Sequence, residues 1–235
     1  MGTGRPYPAP YDRRVGKGSS ISSAAGRFVA PRLPALAPDL NASFVGEALR
    51  RAIDGVGPLA PAAVAAEKAG TTRRIIDDHI RYAGAQGMLT SVGGVFTAMV
   101  TIPANITGLG LIQIRMVAAI AHLRGYDLED ARVQNAVLAC LLGEDRVDAL
   151  VLARKIPAPP MALATAPVHD PEVARVLSAE VTAELVSRVT GKRAALAVVR
   201  KVPFVGGVVG MGADGFATYQ VGSYAARELR PRNRR

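Results

Sequence analysis

Apolar positions recur along most of this chain at helical spacing, and no strand–helix alternation appears anywhere. In "NASFVGEALRRAIDG" Phe44, Leu49 and Ile53 fall on one side, and Ser43 is placed to cap the start. Pro61 opens "PAAVAAEKAG", and "TTRRIIDDHIRYAG" follows as part of one interrupted helix or as a second one. Asp127 stands as the cap of "LEDARVQNAVLACLLG", with Gly143 as its stop, and "EDRVDALVLARK" carries a further helix toward Ile156. The proline-rich "PAPPMALATAP" reads as a loop. Asp170 and Pro171 open a helix striped by Val173, Val176, Leu177, Val181, Leu185 and Val189. After Gly191, "KRAALAVVRK" reads as a short helix ending before Pro203. The pattern predicts an all-α fold: a helical bundle with a proline-broken apolar hairpin and a glycine-rich C-terminal helix.

That hairpin comes from 33 residues between Arg81 and Arg115 that carry no charge. Their length permits a membrane span. Over 84–102 the strong inserters are Leu89, Val92, Val95, Phe96, Val100 and Ile102, at roughly −0.3 to −0.6 kcal/mol each. Glycines, threonines, Ser91 and Gln86 pull the sum back toward zero. Pro103 removes a backbone donor and disfavours helical angles at Ile102. Two helices, about 86–101 and 104–123, are therefore expected to meet at a proline elbow. A buried core pair is the favoured reading, with a hairpin dipping into a bilayer left open.

Charge changes the picture at the two ends. The formal net charge is +10. Residues 1–35 carry six basic side chains against Asp12, and the last nine residues carry five arginines against Glu228. Almost nothing is left for the middle. Residues 1–40, rich in Pro, Gly, Ser and Arg, read as a disordered basic segment, 41–228 as the helical domain, and 229–235 as a basic tail. Such ends attract any polyanion, and no motif for reading nucleic acid accompanies them. One cysteine, Cys140, excludes an intramolecular disulfide and suits a cytoplasmic chain. No apolar signal-peptide core precedes a cleavage site, so secretion is not expected.

Gly210, Gly212 and Gly215 match G-x-G-x-x-G. A dinucleotide turn needs a βαβ unit and an acid about 20 residues on. Only 20 residues follow Gly215, and the sole acid among them is Glu228. The spacing instead suits a helix that lets a partner approach, through Gly206 and Gly210 and through Ala213 and Ala217. Asp214 on that helix is expected to pair with Arg115. Asp77, Asp78 and His79 offer metal-ligand types, but adjacent helical residues point about 100° apart, so they read as a solvated face. His122 and His169 are isolated, and Cys140 reads as a small buried hydrophobe. No catalytic constellation, cofactor motif or metal set emerges.

"GGVFTAMVTIPANITGLGLIQIRMVAAIAHLRGYDLED" resembles the core of the EcsC family of bacterial proteins. Its glycine pair falls on Gly93 and Gly94, its threonine–aliphatic–proline element on Thr101 to Pro103, its helix arginine on Arg115, and its glycine–tyrosine–aspartate signature on Gly125, Tyr126 and Asp127. The C-terminal block resembles the family's ending at Lys201, Pro203, Gly206, Gly210 and Ala225, but Asp214 stands near a place often held by asparagine. The resemblance spans roughly residues 60–230. It implies a helical, membrane-associated protein and no reaction.

The functional expectation is a non-enzymatic protein at the cytoplasmic face of the inner membrane, peripheral or partly inserted. The basic ends would be drawn to anionic lipid, and Val95, Phe96, Met99, Pro103, Leu109 and Phe204 would contact it. One alternative is a soluble helical scaffold for a protein or nucleic-acid partner. A second is a hydrolase-like enzyme whose site gathers Asp77, His79, Tyr126 and Asp127.

Overall fold

The structure, a computed structural model, describes residues 38–55, 60–92, 98–199 and 205–232. The reading of residues 1–37 and the positions Gly93, Gly94, Val95, Phe96 and Phe204 lie outside the described residues, as do the side chains of Met99, Pro103, Gly206, Gly210 and Ala213. Among the described residues the chain forms nine helices and no strand. They are α1 (Pro38–Asp54), α2 (Ala62–Ala69), α3 (Thr72–Val92), α4 (Ala98–Leu123), α5 (Ala131–Leu142), α6 (Glu144–Leu152), α7 (Pro160–Ala164), α8 (Pro171–Val199) and α9 (Val205–Glu228).

The organising element is α4, which touches α1, α2, α3, α5, α8 and α9. Every residue from Leu109 to Ala121 is buried. A helix apolar on all sides needs such an all-round wrapping. Ile114, Met116, Val117 and Ile120 are almost wholly enclosed, and burial of side chains this size stabilises by about 1.5–3 kcal/mol each. The lack of charge over 109–114 is thereby explained by a protein interior. Leu109, expected at lipid, is 6% exposed and packs with Ala83 and Ile112.

Pro103 does not break the hairpin. It is the sixth residue of α4, and the two helices are separated instead by residues 93–97. Helix α3 reaches Val92, so the expected 86–101 helix is divided between the end of α3 and the start of α4. A proline near a helix start forgoes one backbone bond, at a cost of about 3 kcal/mol. Burial of the four side chains downstream outweighs that.

Other boundaries also shift for local reasons. Pro38, preset for a first helical position, starts α1 ahead of Ser43, which lies inside the helix. Gly70 ends α2 and keeps it distinct from α3. The cap of α5 is Asp130, whose Oδ1 accepts the Arg132 N–H at 2.8 Å. Asp127 instead accepts from the Glu129 N–H in the preceding turn, where buried Tyr126 and Leu128 hold the chain out of the helix. Part of the proline-rich loop forms α7, with Pro160 in its first turn and Leu163 buried. Helix α8 begins at Pro171, where Asp170 accepts from the Glu172 N–H, and runs through Gly191 to Val199. A lone interior glycine costs only about 1 kcal/mol, too little to stop a long helix.

The glycine-rich segment is the helix α9, not a nucleotide turn. Its close approach to α3 and α4 is made by Gly222, whose added Cβ would lie 2.9 Å from Ile76 Cγ1 and 3.0 Å from Met116 Sδ. Gly215 also faces Ile80. Neither was singled out by the small-residue spacing, and Ala217 is only half-buried.

Candidate functional site

The helix register gives the bundle two chemically different ends. Gly215 faces Ile80 and Gly222 faces Ile76, so α9 and α3 run antiparallel. Gln113 bonds Thr218 and Met116 meets Gly222, so α9 and α4 run parallel. The end of α3 and the starts of α4 and α9 therefore lie at one end of the bundle. The end of α8 joins them there, since five residues span only about 20 Å at full extension. The connections that leave from this end read "GGVFT" and "RKVPF".

The opposite end lies about 36 Å away along the 24 residues of α9. Here Gly125 takes φ 84° and closes α4: its N–H bonds His122 O at 2.9 Å, and the Tyr126 N–H bonds Ala121 O at 3.1 Å. This pair is a Schellman closure, which a side chain at Gly125 would strain. The closure aims Arg124 and Tyr126 at the chain's C-terminal segment. Arg124 Nη1 donates to Ala226 O and Leu229 O, satisfying carbonyls at the end of α9 with a cation suited to that helix terminus. Tyr126 Oη donates to Arg230 O at 2.9 Å, and the Arg232 N–H donates to Arg124 O at 2.9 Å. The Arg232 guanidinium lies 5.4 Å from the Tyr126 ring centre.

The expected tail thus starts as a strap. Leu229 is fully buried and 229–232 are fastened to the bundle. A groove of about 420 Å³ runs beside the strap between His122, Arg124, Arg232 and Glu67. A second, of about 390 Å³, lies on the other side of Gly125, with Ile53, Asp127 and Glu129. Burial raises the Tyr126 hydroxyl's pKa, against the pull of Arg232 and Arg124. Burial also lowers that of Arg124.

Between the ends lies a buried polar seam. His79, 2% exposed, donates from Nδ1 to Ile75 O at 2.7 Å. A carbonyl can only accept, so Nδ1 carries the proton and Nε2 is free to accept from Arg115 Nη1 at 3.3 Å. Arg115 Nε donates to Ala60 O at 2.8 Å. Burial, with Arg115 adding to it, drives the His79 pKa down to about 4, although the Ile75 bond and Asp78 oppose this. The Arg115 guanidinium is likewise lowered by burial. The expected Arg115–Asp214 pair gives way to Arg115–His79; Asp214 is buried and is itself not free.

The solvated-face reading therefore holds for Asp77 but not for His79. The four residues of the hydrolase alternative do not share a cleft. His79 sits beside Arg115, while Tyr126 closes on Ala121, about 9 Å further along α4. Asp127 is exposed in its turn. Cys140 is fully buried and its thiol is pushed up by burial, which leaves it unreactive. Among the described residues no group of three or more His, Cys, Asp or Glu is placed to hold a metal ion. No helix among them is long and apolar enough to cross a membrane.

Comparison with protein families supplies what this geometry does not. The model of the EcsC protein family matches residues 66–233. The chain belongs to that family. No curated protein and no solved structure matches it. The EcsC match runs from α2 to just past the strap, so it takes in α4, the Gly125–Tyr126–Asp127 turn and the segment that turn fastens. Sequence reasoning missed Arg124, Arg230 and Arg232 as partners in this closure. The only signal was the turn signature itself, which says nothing about a segment 104 residues away.

Proposed function

We propose that this EcsC-family chain is a non-enzymatic protein of the membrane surface, docking on anionic lipid with the end of the bundle from which the α3–α4 and α8–α9 connections leave. The observation that supports this reading is the helix register. It brings to one end the helix termini that the uncharged "GGVFT" and the "RKVPF" sequences connect, and in sequence the latter sets Arg200 and Lys201 next to Val202 and Phe204. Apolar side chains next to basic ones match the boundary between acyl chains and anionic headgroups. The contact in this reading is a shallow one, made by the connecting segments and not by a spanning helix.

Ile53, at the end of α1, lines the groove at the strap end. The 17-residue α1 therefore begins about 24 Å away from it. The basic side chains of residues 1–35 precede α1 in the sequence, and a basic side chain near an anionic surface contributes about 1 kcal/mol. Arg230 and Arg232 have no part in this contact, since the strap that carries them is fixed at the far end.

The burial of α4 on every side from Leu109 to Ala121 favours a second reading, a soluble scaffold whose apolar helices pack only on one another. Flotation with neutral and phosphatidylglycerol-containing vesicles separates the two. The membrane reading expects binding that needs anionic lipid, survives a high-salt wash, and is lost in a Phe96→Asp/Phe204→Asp variant that keeps its helical circular dichroism. A protein that stays at the bottom of the gradient with both vesicle types leaves the scaffold.

A further inference from the structure

We propose that the N-terminus of α2, together with Arg115, binds a phosphate group carried by a soluble molecule, at a site separate from the membrane contact. Arg115 lacks the carboxylate that its burial calls for. It is 6% exposed, and the partners of its guanidinium are both neutral: Nε donates to Ala60 O at 2.8 Å and Nη1 to His79 Nε2 at 3.3 Å. A guanidinium has five N–H groups. Among the described residues nothing accepts from the other three, and Nη2 makes no bond at all. Nor does a carboxylate act on its charge: burial lowers the Arg115 pKa, and Tyr82 alone opposes this. A buried cation without a counter-charge is destabilising, and an anion beside it relieves that.

The Ala60 bond holds the guanidinium against the start of α2, and that start is itself short of an anion. Pro61 stands in the capping position and, with no side-chain acceptor, leaves it uncapped. The Ala65 N–H bonds Pro61 O at 3.0 Å, but those of Ala62, Ala63 and Val64 have no acceptor among the described residues. Orphan N–H groups and the positive end of a helix dipole favour a negative group at such a place. Pro61 and Ala63 are half-buried and Val64 is exposed, so the helix start is open to solvent. Half-exposed Tyr82 stands edge-on to His79, with ring centres 5.9 Å apart, and offers a hydroxyl from α3. Donors from Nη2, the α2 backbone and Tyr82 suit a tetrahedral oxyanion with three free oxygens better than a carboxylate with two. Along α4 the stretch from Ala98 to Arg115 measures about 26 Å, and Ala98 lies at the end that faces lipid in the membrane reading. That distance favours a soluble phosphate over a lipid headgroup.

The test is thermal melting of the full chain with inorganic phosphate or glycerol 3-phosphate up to about 20 mM, at a constant ionic strength of about 0.15 M set by chloride. Binding with a Kd of about 1 mM is expected to raise the melting temperature by about 4 °C. Pro61→Asp supplies the missing cap from within the chain. It should raise the melting temperature in chloride alone and cut the response to phosphate below about 1 °C. Arg115→Gln should lose the response too, whereas Arg232→Gln, which removes the same charge at the strap, should keep it. Tyr82→Phe, at an exposed position, is expected to weaken phosphate affinity about threefold. Equal responses of the parent and Pro61→Asp would reduce the effect to phosphate acting on the whole surface and overturn the proposal, as would no shift in the parent. Loss of the phosphate response in the presence of phosphatidylglycerol vesicles would assign the site to a lipid headgroup and overturn the soluble source. A parent that keeps the phosphate response but fails to float with vesicles sinks the membrane reading and leaves this one standing.

Discussion

Acid should weaken this fold through His79, and the size follows from the buried seam. The imidazole is neutral, with Nδ1 donating to Ile75 O and Nε2 accepting from Arg115. Protonation would put a second N–H where Nε2 must accept, next to a guanidinium. The folded pKa of about 4 lies below the ordinary 6.5. Between these values the unfolded chain holds a proton that the folded chain does not, so stability is complete above pH 6.5 and falls as the pH drops toward 4. The full loss is about 3.4 kcal/mol, of which about 2 kcal/mol has appeared by pH 5. The groups facing His79 are Arg115 from α4 and Asp78 and Tyr82 from α3, and only Asp78 favours the charged form. The hydrogen-bonded carboxylates Asp130 and Glu172, held low by Arg132 and Arg175, act in the window below their ordinary carboxylate range. Urea denaturation followed at 222 nm, at pH 7.5, 6 and 5, measures the effect. His79→Gln, which cannot take up a proton in this range, should be less stable at pH 7.5 but lose about 2 kcal/mol less than the parent between pH 7.5 and 5. Parallel pH profiles for the two proteins would refute the assignment of a buried neutral imidazole.

Two further substitutions separate packing from propensity and correct from incorrect caps. Gly222→Ala drives a methyl into Ile76 and Met116 and should cost about 1–3 kcal/mol. Gly212→Ala on the same helix meets nothing within 4 Å and should add about 0.5–1 kcal/mol, both read by urea denaturation. Asp130→Ala should remove about 1 kcal/mol as the true cap of α5, and Asp127→Ala less than half of that, measured by thermal melting.

What the residues alone determined was everything that depends on neighbours within about a turn of helix. The helical class, the stop at Gly143, the cap at Asp170 and the non-nucleotide character of the glycine-rich segment all belong here. Each follows from periodicity, backbone angles or a side chain reaching two residues along. Cap placement failed at Asp127 because competition between two acids three residues apart is decided by where Tyr126 and Leu128 are buried. The uncharged 82–114 segment was ambiguous for a deeper reason. Lipid and protein interior are both apolar surroundings, so composition cannot tell one from the other. Six neighbouring helices around α4 made that decision for residues 109–114. His79 sits between charged and exposed-looking neighbours in sequence, and only its seat against Arg115, 36 residues away, makes it a buried base. The strap is the extreme case. Tyr126 and Arg230 are 104 positions apart, and their contact exists because α4 and α9 run parallel and end together. Local rules carry no information about which distant ends coincide; the packing of whole helices does.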